Sequence, residues 1–176
     1  MEVVPEGNIA ADGQQTANDE IENGGEDRVE DTPDGGKVIT TPGGYRFFLD
    51  KLGRTIRVMA KLKSNRNQKR SKKEQLEAGG EYRLSSDEGG HILARIFNGP
   101  LGKYNHFAQD RNLNRGKYRT LEKQLDILLQ TEQDVETEIK VFYRGKSLRP
   151  SRLRIKVSID GRKPMIVEFA NRKYGI

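Results

Sequence analysis

Alternating apolar and polar positions bracket the middle of this chain. In KVITTPGGYRFFLDKLGRTIRVMAKLK, the runs Tyr45 to Leu49 and Thr55 to Leu62 carry the β-branched and aromatic residues of strands. The DKLGR between them places Gly53 where a tight turn needs a positive φ, so a hairpin is predicted. Toward the end, VETEIKVFYRGKS, SRLRIKVSID and KPMIVEFAN alternate again, separated by Gly145 and by DGRK. They predict an antiparallel meander whose Lys and Arg form the outward face of a sheet. In NRGKYRTLEKQLDILLQTEQD the period becomes helical: Tyr118, Leu121, Leu125 and Leu128 follow at spacings of three, four and three. This is the main helix. A short helix is predicted at the end of the basic stretch SNRNQKRSKKEQLEAGG, stopped by Gly79 and Gly80. The pattern is therefore strands, a glycine-rich site loop, a helix and more strands.

Charge divides the chain differently. Residues 1 to 36 hold eleven Asp and Glu against one Arg, while residues 37 to 176 hold 31 Lys and Arg against 15 acids. The first segment has too few large apolar side chains to offset its ordering entropy and reads as a disordered acidic tail or linker. Residues 37 to 176 read as the single folded domain, whose positive charge suggests a polyanionic partner. The absence of cysteine excludes disulfides, thiolate metal sites and a cysteine nucleophile. No apolar run approaches a membrane span, and the first residues carry neither the basic nor the apolar region of a signal peptide.

The chain has two histidines, and one of them stands in SSDEGGHILARIFNGP. His91 there, followed by the block NHFAQDRNLNRGKYRTLE from Asn105, resembles the DNA/RNA non-specific endonucleases, the ββα-metal or His-Me finger nucleases. Their hallmark is a Gly-His, then about two dozen residues later a Leu-Asn-x-Gly-x-aromatic-x-x-Leu-Glu block. Gly-His followed by two aliphatics and Ala-Arg-x-Phe-x-Gly-Pro is similar to the branch found as toxin domains of bacterial polymorphic and contact-dependent systems. Two departures stand out: Asp87-Glu88-Gly89-Gly90 replaces the family's arginine before Gly-His, and Ala108 replaces the proline before Gln109.

The resemblance implies an α+β fold, a ββα-metal core with an antiparallel sheet and one main helix. It implies His91 as general base and Asn114 as the protein ligand of Mg²⁺, with Mn²⁺ as a substitute. Glu122 would hold waters of the ion, Asn105 and Gln109 would support the site, and Arg95 or Arg115 would meet the scissile phosphate. The substrate would be DNA, with RNA as a second. A toxin of this kind implies a cognate immunity protein and delivery by a bacterial toxin system into the cytoplasm of a target cell.

The residue types suit that chemistry. Imidazole titrates near pH 6.5 and takes a proton from water at neutral pH. Mg²⁺ keeps several of its waters, so one amide ligand and a nearby carboxylate suffice. Glycines before His91 would let a phosphate approach the backbone. Inside one helix, Asn114 and Glu122 would stand about 12 Å apart at ~1.5 Å per residue, so Asn114 is expected in a loop ahead of the helix. Taken singly, Asn114 suits a helix N-cap, Glu122 an exposed helical acid and His106 a structural position. The rival reading of the chain is a non-catalytic nucleic-acid-binding module whose basic sheet grips phosphates.

Overall fold

A computed structural model describes residues 25–65, 72–131 and 133–172. Seven strands form one antiparallel sheet: β1 (Arg28–Asp31), β2 (Lys37–Thr40), β3 (Arg46–Leu49), β4 (Thr55–Lys61), β7 (Val135–Tyr143), β8 (Pro150–Ile159) and β9 (Met165–Ala170), neighbours in that order. The predicted hairpin is β3–β4 and the predicted meander is β7–β8–β9. Gly53 has φ +75°, and its N–H closes the turn on Asp50 O at 2.9 Å. Among the described residues, no helix is long and apolar enough to cross a membrane.

Between the neighbouring strands β4 and β7 the chain makes one long excursion, closed at its base by Leu62 N donating to Val135 O at 2.8 Å. It contains α1 (Lys72–Glu77), β5 (Asp87–His91), β6 (His106–Asp110), the helical turn α2 (Arg111–Leu113), a π-type segment (Asn114–Tyr118) and α3 (Arg119–Gln130). The excursion lies on one face of the sheet. Phe47, Val58, Val135, Leu153 and Val157 from the sheet meet Phe97, Phe107, Leu113, Tyr118, Leu121 and Leu125 in a single core. Burying these side chains stabilises each by about 1.5–3 kcal/mol relative to exposure. α3 is the predicted helix, with Leu121 and Leu125 buried and Leu128 packed at the margin. Gly79 and Gly80, at φ +85° and +50°, do follow α1.

Two expectations are corrected. The boundary at residue 36 falls inside the sheet, because β1 pairs with β2 from Arg28↔Thr40 to Asp31↔Lys37. All four residues of β1 are exposed, so no apolar period announced it. Residues 1 to 24 of the expected tail lie outside the described residues. Nor is Asp87–His91 a loop: it is a strand paired antiparallel with β6 in the register Asp87↔Asp110 to His91↔His106.

Candidate active site

The β5–β6 ribbon is a poor strand pair by composition, since DEGGH offers neither β-branched nor apolar residues. Its surroundings enforce the conformation. Asp87, 5% exposed, takes both arms of Arg149, at 2.7 Å from Nε and 2.8 Å from a terminal nitrogen, and accepts from Leu84 N at 2.9 Å. At the same end, on the partner strand, Asn171 Oδ1 accepts from Asp110 N at 2.8 Å, and Asn171 Nδ2 donates to Ala108 O and Pro150 O, each at 2.8 Å. These ties fasten the ribbon to the start of β8 and to the residue after β9.

The two glycines serve the chain's own packing, which corrects the expected opening for a phosphate. A methyl group on Gly89 would run into the carbonyl oxygen and Cα of Gln75 in α1. One on Gly90 would overlap the side chain of Gln109, whose Cβ would lie 2.8 Å away. Close approach is indeed the reason for glycine here. What approaches is protein.

His91 ends β5, half-buried, its ring 4.7 Å from that of His106 and tilted by 53°. His106 Nδ1 lies 2.9 Å from Gly102 O. A carbonyl only accepts, so Nδ1 carries the hydrogen and Nε2 is the bare nitrogen. Burial, aided by the charge of Arg95, lowers the His106 pKa against opposing contributions from the Gly102 contact and Glu74. The ring beside His91 is thereby kept neutral. Asn105, fully buried, supports the turn after His91: its Oδ1 accepts from Leu93 N at 2.8 Å, and its Nδ2 donates to Leu93 O at 2.9 Å and Pro100 O at 3.0 Å.

Two contacts fasten the helical side of the site to this strand. Tyr118 O–H donates to Ile92 O at 2.7 Å, next to His91. Asn114 Nδ2 donates to Glu88 Oε2 at 2.9 Å, three residues before His91. Asn114 precedes α3 as expected, but it has helical φ and ψ of −58° and −47° rather than those of a loop. The break comes at Gly116, where φ −103° and ψ −113° interrupt the helical path between Asn114 and Glu122. The N-cap role belongs to Asp110, whose side chain accepts from Asn112 N.

Glu88 gathers Asn114, Arg115 and Arg111 around one carboxylate. Burial opposes its charge, yet the hydrogen bonds from Arg115 and Asn114 and the charges of Arg115 and Arg111 outweigh that and hold it below the usual glutamate range. Glu122 is in the opposite condition. Burial pushes its carboxyl up to about 7, against a smaller pull from Arg119. It shares the wall of a cavity of about 20 Å³ with Ile92, Leu93 and Tyr118. Of the two candidate arginines, Arg115 is engaged with Glu88, while Arg95 hydrogen-bonds Gly99 O beside the histidine pair.

The donors present suit a hard, water-carrying cation. Among the described residues no group of three or more His, Asp or Glu forms a metal cage. Instead the bond to Glu88 directs the Asn114 amide nitrogen inward and leaves Oδ1 for another partner. Gln109, level with Glu88 in the ribbon, has both amide atoms buried without a hydrogen bond. Oxygen ligands and unfilled polar capacity fit Mg²⁺ with its waters better than a nitrogen- or sulfur-seeking metal. In sequence, Glu88 stands only as part of the Asp-Glu-Gly-Gly that replaces an arginine. An acid three residues before the histidine of the motif was the signal available for its role.

Comparison with known proteins places this geometry in context. Residues 37–161 match the family model described as DNA/RNA non-specific endonuclease. Over 130 residues, 70% of this chain, it is 33% identical to the type VII secretion system protein EssD of Staphylococcus aureus (strain USA300), covering 21% of that protein. Over 78 residues, 44% of the chain, it is 33% identical to the probable deoxyribonuclease RhsA of Dickeya dadantii (strain 3937), covering 5% of it. The chain thus spans about a fifth or less of these relatives. The structure of NucA from Streptococcus agalactiae with magnesium ion bound superposes with a TM-score of 0.63, over 84% of this chain and 83% of that one. At 14% identity, that likeness is one of fold.

Proposed function

Because the chain belongs to the DNA/RNA non-specific endonuclease family, we propose that it hydrolyses phosphodiester bonds of DNA, and secondarily of RNA, with His91 as general base and Asn114 as the ligand of a Mg²⁺ ion. The observation that carries this reading is that one five-residue strand serves both halves of the chemistry. It ends in His91, and its Glu88 orients Asn114.

His91 takes a proton from the attacking water, a role suited to a half-buried imidazole beside a second ring held neutral. The ion, when bound, neutralises charge on the non-bridging phosphate oxygen and the leaving 3′ oxygen. Asn114, with its amide nitrogen on Glu88, would hold the ion through its oxygen, and Glu122 would hold waters of the ion. Glu88 sets the amide's orientation, while Asn105 braces the turn after His91. Gln109 offers its amide to the water network. Arg95, which hydrogen-bonds Gly99 O beside the histidine pair, and Arg115, which pairs with Glu88, are the two candidates to meet the phosphate. Mn²⁺ substitutes for Mg²⁺, having the same taste for oxygen ligands.

The similarity to EssD, a secretion system protein, and to RhsA supports action as a toxin domain delivered into the cytoplasm of a target cell and restrained by an immunity protein. Nicking of supercoiled plasmid tests the enzyme reading. Cleavage stops with EDTA and resumes with Mg²⁺ or Mn²⁺. Cleavage indifferent to EDTA would overturn the metal, and binding without cleavage would leave the non-catalytic module.

A further inference from the structure

The face of the seven-stranded sheet turned away from the site carries a second pattern. Pairing registers align Phe48, Arg57, Lys140, Arg154 and Glu168 in one row across β3, β4, β7, β8 and β9. Arg46, Met59, Glu138, Lys156 and Ile166 form the next. Their sequence neighbours Phe47, Val58, Ile139, Ile155 and Val157 are buried in the core, so both rows face outward.

Three guanidinium groups on this face lie over aromatic rings. Arg46 and Arg57 stand 5.0 and 5.4 Å from the centroid of Phe48, and Arg152 stands 4.2 Å from that of Phe142. Glu138 takes Arg57, and Glu168 takes Arg152 and Arg154. Five cations in these rows, with Arg152 beside them, therefore face two carboxylates. Arg46 and Lys156 make no ion pair among the described residues.

We propose that this outward sheet face is a second binding surface for nucleic acid, gripping the sugar-phosphate backbone of long substrates at a distance from the cleavage site. The inference rests on the nuclease reading for the identity of the polymer. Its own argument is electrostatic and geometric. The guanidinium groups over Phe48 and Phe142 carry five N–H donors each, more than Glu138 and Glu168 take up, which leaves donors for phosphate oxygens. Arg152, Arg154 and Lys156 alternate along β8 at about 6.8 Å, the two-residue repeat of a strand, and so present a regular row of cations. The excess of cations over carboxylates favours a polyanion, and the nuclease reading makes that polyanion nucleic acid. Because the sheet separates this face from His91, only a long polymer engages both.

Two charge-removing pairs test the proposal in the full chain, Arg152→Gln with Lys156→Gln and, independently, Arg46→Gln with Lys140→Gln. All four side chains are exposed, so the fold is kept and circular dichroism verifies it. In EDTA, each pair is expected to raise the Kd for a long duplex by about 3- to 10-fold at low salt, and to lower the slope of log K against log salt by about 1 to 2. With Mg²⁺, KM for plasmid should rise by a similar factor at unchanged kcat. Cleavage of a duplex of about ten base pairs, roughly 34 Å long, should not change. Wild-type Kd and salt slope in both variants would overturn the proposal while leaving the nuclease intact. Loss of an acidic protein partner with nucleic-acid binding untouched would overturn it too, giving the face to a protein. A wild-type chain that binds with this salt dependence but never cuts would instead remove the nuclease reading and keep the surface.

Discussion

Asn114 donates from Nδ2 to Glu88 Oε2 at 2.9 Å, and since a carboxylate only accepts, this one bond determines which end of the amide faces the site. Glu88→Gln removes that certainty, because a glutamine amide presents either an acceptor or a donor. Loss of such an orienting partner typically reduces metal affinity by about 10- to 100-fold. Mg²⁺ titration of plasmid nicking should therefore shift to higher concentration, with the maximal rate largely recovered at saturation. An activation curve identical to wild type would show that Glu88 does not orient a metal ligand.

His91→Ala should lower cleavage by a factor of about 10² to 10⁴, the usual contribution of a general base. The thermal transition should move little, since this half-buried ring contributes little packing. His106→Ala should behave differently, because it removes a buried ring and the contact at Gly102 O. Loss of stability with His106→Ala and loss of rate with His91→Ala would separate the two histidines. Comparable cleavage by His91→Ala and wild type would eliminate His91 as the base.

Glu122 has a folded pKa of about 7 against 4.5 unperturbed. A carboxyl raised on folding stabilises fully at a pH below its unfolded value, and that contribution is lost as the pH rises through the folded one. In EDTA, wild type should therefore lose stability between pH 5 and 8 relative to Glu122→Gln, by on the order of 1–3 kcal/mol after allowing for partial exposure. Urea unfolding at the two pH values measures the difference. Parallel pH dependence in the two proteins would mean that Glu122 ionises normally.

Gly89→Ala should destabilise by about 1–3 kcal/mol, the usual range for overpacking. Its methyl group meets backbone of α1 and has no flexible side chain to displace. A wild-type denaturation midpoint would show that α1 yields freely.

The elements legible in sequence are those whose pattern is local. β3, β4 and the meander β7–β8–β9 alternate because one face of each is core, and α3 repeats Tyr118, Leu121 and Leu125 for the same reason. β5 and β1 were illegible because no period generates them. Asp-Glu-Gly-Gly-His becomes a strand through pairing with β6, the pocket of Arg149 around Asp87, and the pressure of α1 on Gly89. β1 is an exposed edge that pairs, among the described residues, with β2 alone. In the candidate site, the resemblance carried by the Gly-His and Leu-Asn-x-Gly blocks pointed to His91, Asn114 and Glu122. Glu88 and Tyr118 as fasteners required the path of the chain through Gly116, which a list of residue types does not contain.

The ties from Asn171 to Asp110 and Ala108 have a meaning for the producing cell. The site ribbon is anchored by a residue that leaves the ribosome some sixty positions after it. The chain is made from its N-terminus, and contacts so distant in sequence form late. A nascent chain that already displays His91, Asn114 and Glu122 still lacks β7–β9 beneath them and Asn171 beside them. Translation order thus sets the anchor of the site ribbon after the ribbon itself, so that the anchored ribbon forms only once Asn171 has been made. Chains stopped after Asp160 should accumulate without nicking plasmid, whereas nicking by such chains would show that the ribbon organises itself.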